Sequence, residues 1–103
     1  MGALHSHGMI VEVEGKRIVY SGDCVASEEL APYVKGCDLL IHEMGHHEPE
    51  EVLSFVGVHP VPRLMLTHFI RRWELRGDEI RDMFRGHFDG ELILARDGLR
   101  ISL

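Results

Sequence analysis

The chain lacks the long apolar run that a membrane-spanning helix requires, which is about 20 consecutive residues. Its N-terminus has no basic stretch followed by a long apolar segment, so the sequence predicts no secretory signal. Only two cysteines occur, Cys24 and Cys37, and their spacing matches neither a zinc ribbon nor a CxxC motif. From these absences we expect no membrane association and a reducing, cytoplasmic location.

Several motifs of common enzyme classes are also missing. The sequence contains no GxGxxG, no GxxxxGK[ST] and no GxSxG, so neither a phosphate-binding loop nor a nucleophile elbow is indicated. The formal net charge of -6 argues against a dedicated nucleic-acid-binding module with a basic face. Arginines are concentrated in residues 71–85, where they alternate with acids, as on a solvated helix face.

Histidine is abundant, with eight residues in a chain of 103. It is the commonest neutral metal ligand and a proton carrier near neutral pH. The eight are His5, His7, His42, His46, His47, His59, His68 and His87.

The pattern of apolar residues predicts one α/β domain over residues 1–103. Residues 9–20 read as a β-hairpin, and 38–42 and 63–67 read as short buried strands. Helices are predicted after Ser27, from Pro49 onwards and over 74–85, where Leu75 is placed on the apolar face. Residues 91–95 and 99–103 predict a closing hairpin. Strands that alternate with helices predict a mixed sheet with helices packed on it.

Three predicted strands are followed by residues that can ligate metal or transfer protons. Residues 17–20 lead to Asp23, 38–42 end at His42 and Glu43, and 63–67 lead to His68. Ligands in α/β sheets bind beyond the carboxyl ends of the strands. Asp23 alone could be a helix cap, and His68 alone is more often structural, but a carboxylate and an imidazole at one sheet edge suit zinc.

Other histidines and Glu43 are weaker candidates. His5 and His7 form an HxH, in which both rings face one side of an extended segment, although a chain end can also be disordered. Glu43 could orient a ligating histidine or serve in proton transfer. His46 and His47 could instead cap a helix and contact solvent. His59 and His87 read as structural.

Four segments taken together resemble the C-terminal half of the metallo-β-lactamase superfamily, in the branch of ribonuclease Z and related phosphodiesterases. They are GKRIVYSGDC, GCDLLIHE, GHHEPEEV and RLMLTHF, and the tail FDGELILARDGLRISL is also similar. The resemblance implies half of an αββα sandwich, with a mixed sheet and helices on one face.

The resemblance also implies roles for individual residues. Asp23 matches the carboxylate that bridges two metal ions, and His68 matches the last metal-binding histidine. Glu43 and His46 look like the pair that handles the proton of the leaving group. His5 or His7 corresponds loosely to a middle ligand. The implied cofactor is zinc, as one or two ions, with manganese or iron as alternatives.

The family signature HxHxDH is absent from the sequence. From this we expect a partner that completes the fold: a chain carrying the N-terminal half, a second copy of this chain, or the rest of a longer polypeptide. The resemblance then implies a metal-dependent hydrolase of phosphodiesters, including RNA. The alternative is a non-catalytic metal-binding or assembly module.

Overall fold

The structure, a computed structural model, describes residues 2–3, 8–22, 27–45, 47–69 and 75–95. Six strands form one sheet whose spatial order is the order of the chain. They are β1 (Gly2–Ala3), β2 (Met9–Val13), β3 (Lys16–Tyr20), β4 (Leu39–Glu43), β5 (Arg63–Thr67) and β6 (Glu91–Leu94). The helices are α1 (Ala31–Val34), which follows a 3-10 turn at Ser27–Leu30, α2 (Pro49–Val58) and α3 (Gly77–Phe84). None of the helices in the described ranges is long and apolar enough to cross a membrane.

The predicted N-terminal hairpin is confirmed. Strands β2 and β3 are antiparallel, with Ile10 opposite Val19. The two residues between the strands have positive φ, 51° at Glu14 and 79° at Gly15. Two successive residues of this kind form the turn whose twist matches that of a two-stranded ribbon.

Strands β3 to β6 are parallel and each is joined to the next through a helix. Such crossovers are right-handed, so an unreversed strand order places all three helices on the same face. Residues of that face pack in one core with the helices, and Val19, Leu40, Leu64 and Leu66 are buried there. The helices contribute Val34, Val52, Phe55, Val56, Ile80 and Phe84.

The opposite face of the sheet has its own apolar residues. Leu39 and Ile93 are buried but do not belong to the core between the sheet and the helices. Their side chains point to the other face because successive side chains alternate along a strand. Ile18, Ile41 and Met65 on this face are half-buried. The expected fold class, a mixed sheet with helices on one face, is therefore confirmed.

The prediction for Leu75 is wrong. Helix α3 begins at Gly77, so Leu75 precedes it and is 96% exposed. The buried residues of the helix are Ile80 and Phe84, which are four positions apart and share one face. The second strand of the predicted closing hairpin, 99–103, lies outside the described residues, and β6 pairs in parallel with β5.

Candidate functional site

The carboxyl ends of β3, β4 and β5 meet at one edge of the sheet and are tied together there. The Ser21 N–H donates to the carbonyl of Ile41 at 2.9 Å. The Ser21 hydroxyl accepts the N–H of Glu43 at 2.7 Å. One strand further on, the Met44 N–H donates to the carbonyl of Thr67 at 2.8 Å. These bonds hold the residues after each strand in fixed relative positions.

The Glu43 side chain is buried at this edge, although carboxylates are seldom buried without partners. The residue is only 4% exposed. Its Oε1 accepts the N–H of Gly45 in a short contact. Its Oε2 is buried and has no hydrogen-bond partner among the described residues. A buried polar atom left in this state destabilises the fold, and it is an expected feature of a site that binds another group.

His68 immediately follows β5 and has an unusual backbone. Its φ is 58°, in the left-handed region that non-glycine residues rarely adopt. Its side chain is 78% exposed, and its Nδ1 lies 3.9 Å from Oε1 of Glu43. Backbone strain of this kind costs about 1–3 kcal/mol and concentrates at functional sites. The structure therefore brings together two of the residues that the sequence singled out, one buried and one open to solvent.

A pair of buried histidines lies beside the site. His42 Nδ1–H donates to the carbonyl of Glu43 at 3.0 Å. His47 Nδ1 contacts both carboxylate oxygens of Glu51, at 2.9 and 3.1 Å. The imidazole rings of His42 and His47 meet edge to face, with centroids 4.8 Å apart. Burial lowers the pKa of His42 to about 4, so the ring is neutral near neutral pH.

The sequence analysis did not identify His47 as a buried structural residue. Of the alternatives left open for it, solvent contact does not hold, because the residue is 3% exposed. The available signal was its spacing from Glu51, since residues four apart near the start of a helix face each other. The pair anchors the loop after β4 to α2.

The other predicted site residues fall outside the described ranges. Asp23, His46, His5 and His7 are among them, and their roles stay predictions. Among the residues that the structure does describe, no group of three or more His, Cys, Asp or Glu is arranged to hold a metal ion.

Two further residues have structural surroundings. Cys37 is a free, buried thiol, and burial, aided by the charge of Asp38, raises its pKa to about 11. His59 ends α2, where its ring packs on Phe55 and its Nε2 lies 3.4 Å from Glu28. These contacts favour the structural interpretation of His59.

The comparisons with known proteins point to one enzyme name. No protein-family model matches the chain. The chain is 32% identical over 98 residues to the ribonuclease Z of Haloarcula marismortui, in an alignment that covers 82% of this chain and 32% of that protein. It is 32% identical over 108 residues to the ribonuclease Z of Pseudomonas putida KT2440, covering 85% and 34%. The chain therefore spans about a third of the length of these curated relatives.

A solved structure shows a similar fold. It is the metallo-beta-lactamase fold protein YhfI from Bacillus subtilis, which superposes with a TM-score of 0.75 at 21% sequence identity. The superposition covers 96% of this chain and 46% of that one. At this level of identity the comparison establishes the fold, and it shows that the chain corresponds to about half of the neighbour.

Proposed function

Because the chain is a partial, ribonuclease Z-like protein of the metallo-β-lactamase superfamily, we propose that it supplies part of the active site of a metal-dependent hydrolase that cleaves phosphodiester bonds in RNA. The observation that carries the proposal is the shared edge of β3, β4 and β5, where a buried carboxylate lies beside an exposed, strained histidine. A site of this composition suits metal-assisted hydrolysis, which uses a Lewis acid and a proton donor.

The proposed metal ligands are Asp23 and His68, with His5 or His7 as a further ligand. His68 fits this role because its imidazole is open to solvent at the sheet edge. Within the part of the chain that the structure describes, the nearby Oε2 of Glu43 is buried without a hydrogen-bond partner, which supports the binding of a further group at this edge. Carboxylate and imidazole donors suit zinc, as one or two ions, and also manganese or iron. When bound, such ions supply Lewis-acid catalysis and lower the pKa of an attacking water.

Glu43 and His46 are the proposed proton-handling residues. His46 donates a proton to the leaving oxygen, and Glu43 assists it. Hydrogen bonds to Ser21 and His42 fix the backbone of Glu43, and the N–H of Gly45 holds its carboxylate, which is the positioning that general acid–base catalysis requires. The burial of the Glu43 side chain strengthens any charge interaction that it makes.

The proposed partner is a polypeptide that carries the N-terminal half with the HxHxDH signature, either as a separate chain or as part of a longer one. Two facts support it. The chain spans about a third of its curated relatives, and the sheet face opposite the helices presents apolar residues, of which Met9 and Val13 are 37% and 45% exposed. Covering such a face favours association by about 25 cal/mol for each Å² of apolar surface that is removed from water. A second copy of this chain is the other candidate partner.

The location that we propose for the reaction is the cytoplasm.

The alternative function is that of a metal-binding or assembly module without catalysis. The observation behind it is the absence of HxHxDH from the 103 residues of the sequence. The two functions differ in what happens when the missing half is supplied.

The test is a reconstitution assay. The chain, alone and mixed with an N-terminal half of a ribonuclease Z, is assayed with zinc on an RNA oligonucleotide and on bis(p-nitrophenyl) phosphate. We expect cleavage only in the mixture and its loss in His68→Ala. His87→Ala is the matched control, because it removes an exposed histidine on the loop after α3. A stable complex that binds metal but cleaves neither substrate would favour the assembly module.

A further inference from the structure

The two carboxylate oxygens of Glu43 have different surroundings, and this difference bears on His68. We infer that Glu43 is a positioning residue for His68: Oε1, held by the N–H of Gly45, keeps the imidazole proton on Nδ1 and leaves Nε2 as the nitrogen that binds metal. The inference rests on the proposed metal site and deepens it, since it assigns a second task to a residue so far given only a proton-handling one.

The contact between the two side chains is the first step. His68 Nδ1 lies 3.9 Å from Oε1. Carboxylate oxygens only accept hydrogen bonds, so the ring nitrogen beside one is favoured as the N–H. In a neutral imidazole the other nitrogen then carries the lone pair. A shift of about 1 Å by the exposed ring closes the contact to ordinary hydrogen-bond length.

The backbone limits how far the two groups can separate. In the register of β4 and β5, Glu43 is paired with Thr67, and His68 is the next residue. The bond from Met44 N–H to the Thr67 carbonyl, 2.8 Å, fixes the two strand ends on either side of the contact. The Cα of His68 is therefore held in position next to Glu43, and its backbone is left-handed. We infer that rotation of the side chain alone brings the ring to Oε1.

Gly45 holds the carboxylate in place and is required for that purpose. Its N–H donates to Oε1, and a Cβ built on Gly45 would collide with the Glu43 carboxylate, Oε1 first and the carboxyl carbon at 3.3 Å. Its φ is not in the left-handed region, so an alanine is compatible with the backbone there. Substitution of Gly45 by alanine therefore moves the end of a flexible side chain and leaves the fold unchanged.

The two oxygens can thus have separate roles. Oε1 accepts the N–H of Gly45 and lies 3.9 Å from His68 Nδ1, whereas Oε2 is buried without a partner among the described residues. Oε2 is the oxygen that remains for proton handling. A carboxylate that accepts from a ligating histidine fixes its ring and raises its basicity, and loss of such a group typically weakens metal binding about 10- to 100-fold.

The first test reads the tautomer of His68 in the metal-free chain. Long-range 1H–15N spectra, recorded where the ring is neutral, show which nitrogen carries the proton. We expect Nδ1–H in the unaltered chain and a shift towards Nε2–H in Gly45→Ala and Glu43→Leu. Glu43→Gln keeps an oxygen without the charge and should give an intermediate ratio. Gly57→Ala, which adds a methyl group where there is open space, should change nothing. Predominant Nε2–H in the unaltered chain, or the same ratio in every variant, would overturn the inference.

The second test measures zinc affinity in the same variants. Gly45→Ala and Glu43→Leu should each weaken binding about 10- to 100-fold. The double variant should lose no more than Glu43→Leu alone, because both changes remove one contact. Additive losses, or no loss in Gly45→Ala, would contradict the inference. If neither the chain nor its complex with an N-terminal half of a ribonuclease Z binds zinc, the proposed metal site fails, while the tautomer measurement still decides the role of Glu43.

Discussion

The hydroxyl of Ser21 accepts the backbone N–H of Glu43 at 2.7 Å, between two buried residues that are 22 positions apart in the chain. This bond joins the ends of β3 and β4 at the proposed site. Ser21→Ala leaves the Glu43 N–H unpaired in a buried position. We expect a loss of about 1–3 kcal/mol in the free energy of unfolding, measured by urea denaturation.

The control for this change is Ser54→Ala, which removes an exposed hydroxyl from α2. It should alter stability by no more than about 0.5 kcal/mol. Equal effects in the two variants would show that the Ser21 hydroxyl does not support the site.

The buried His42 predicts a pH dependence of stability. Its pKa is lowered from 6.5 to about 4 in the folded chain. Between these values the unfolded chain binds more protons, so stability is complete above pH 6.5 and falls as the pH drops towards 4. At about 1.4 kcal/mol per pKa unit the contribution is about 3 kcal/mol. The titratable groups that act on His42 are His47 from the following loop and Glu51 from α2.

The measurement is urea denaturation of the unaltered chain and of His42→Leu between pH 4 and 8. Since leucine does not titrate, the difference in stability between the two should shrink as the pH falls. A difference that stays constant across this range would contradict the assignment of a neutral, buried His42.

Two glycines should respond oppositely to alanine. Gly57 lies in α2 with open space around it, so Gly57→Ala should stabilise the chain by about 0.5–1 kcal/mol through the unfolded state. Gly36 also has open space but a φ of +78°, so Gly36→Ala should destabilise by about 1–2 kcal/mol. Thermal denaturation compares them directly. A loss of stability in both variants would mean that the helix needs a glycine at position 57.

His68 should show a conflict between stability and function. A non-glycine residue at a φ of 58° lowers the free energy of unfolding by about 1–2 kcal/mol. Glycine avoids this strain but loses more conformational entropy on folding, so the net gain from the substitution is smaller. His68→Gly should therefore stabilise the chain by up to about 1 kcal/mol while metal binding is lost. Glu14→Gly, at a φ of 51° in the hairpin turn, is the matched control and should stabilise the chain without affecting metal. A destabilised His68→Gly would show that the ring makes contacts that outweigh its strain.

Much of the fold could be predicted because its signals are local. The hairpin at 9–20 follows from alternation and a glycine turn, and Pro49 marks the start of α2, as the structure confirms. Leu75 was misplaced because periodicity alone does not fix where a helix begins. The contact of Glu43 with His68 depends on the parallel register of β4 and β5, which pairs residues 24 positions apart and has no local sequence signal.

The site was predicted less completely. The motifs that resemble the metallo-β-lactamase superfamily named Glu43 and His68, and these do lie together. The burial of His47 against His42 was not anticipated, because a polar loop rich in histidine reads as exposed. The support that Gly45 gives to Glu43 was also missed, since it depends on the room that the backbone leaves for a folded-back side chain.

The most direct test of the central claim is the metal content of the complex between this chain and an N-terminal half of a ribonuclease Z. The complex is defined by light scattering and its zinc is measured by elemental analysis, in the unaltered chain and in Asp23→Ala and His68→Ala. The account predicts that both variants form the complex but lose bound zinc, whereas His87→Ala retains it. Equal zinc in all four complexes would place the metal entirely in the other half and contradict the claim that this chain supplies part of the active site.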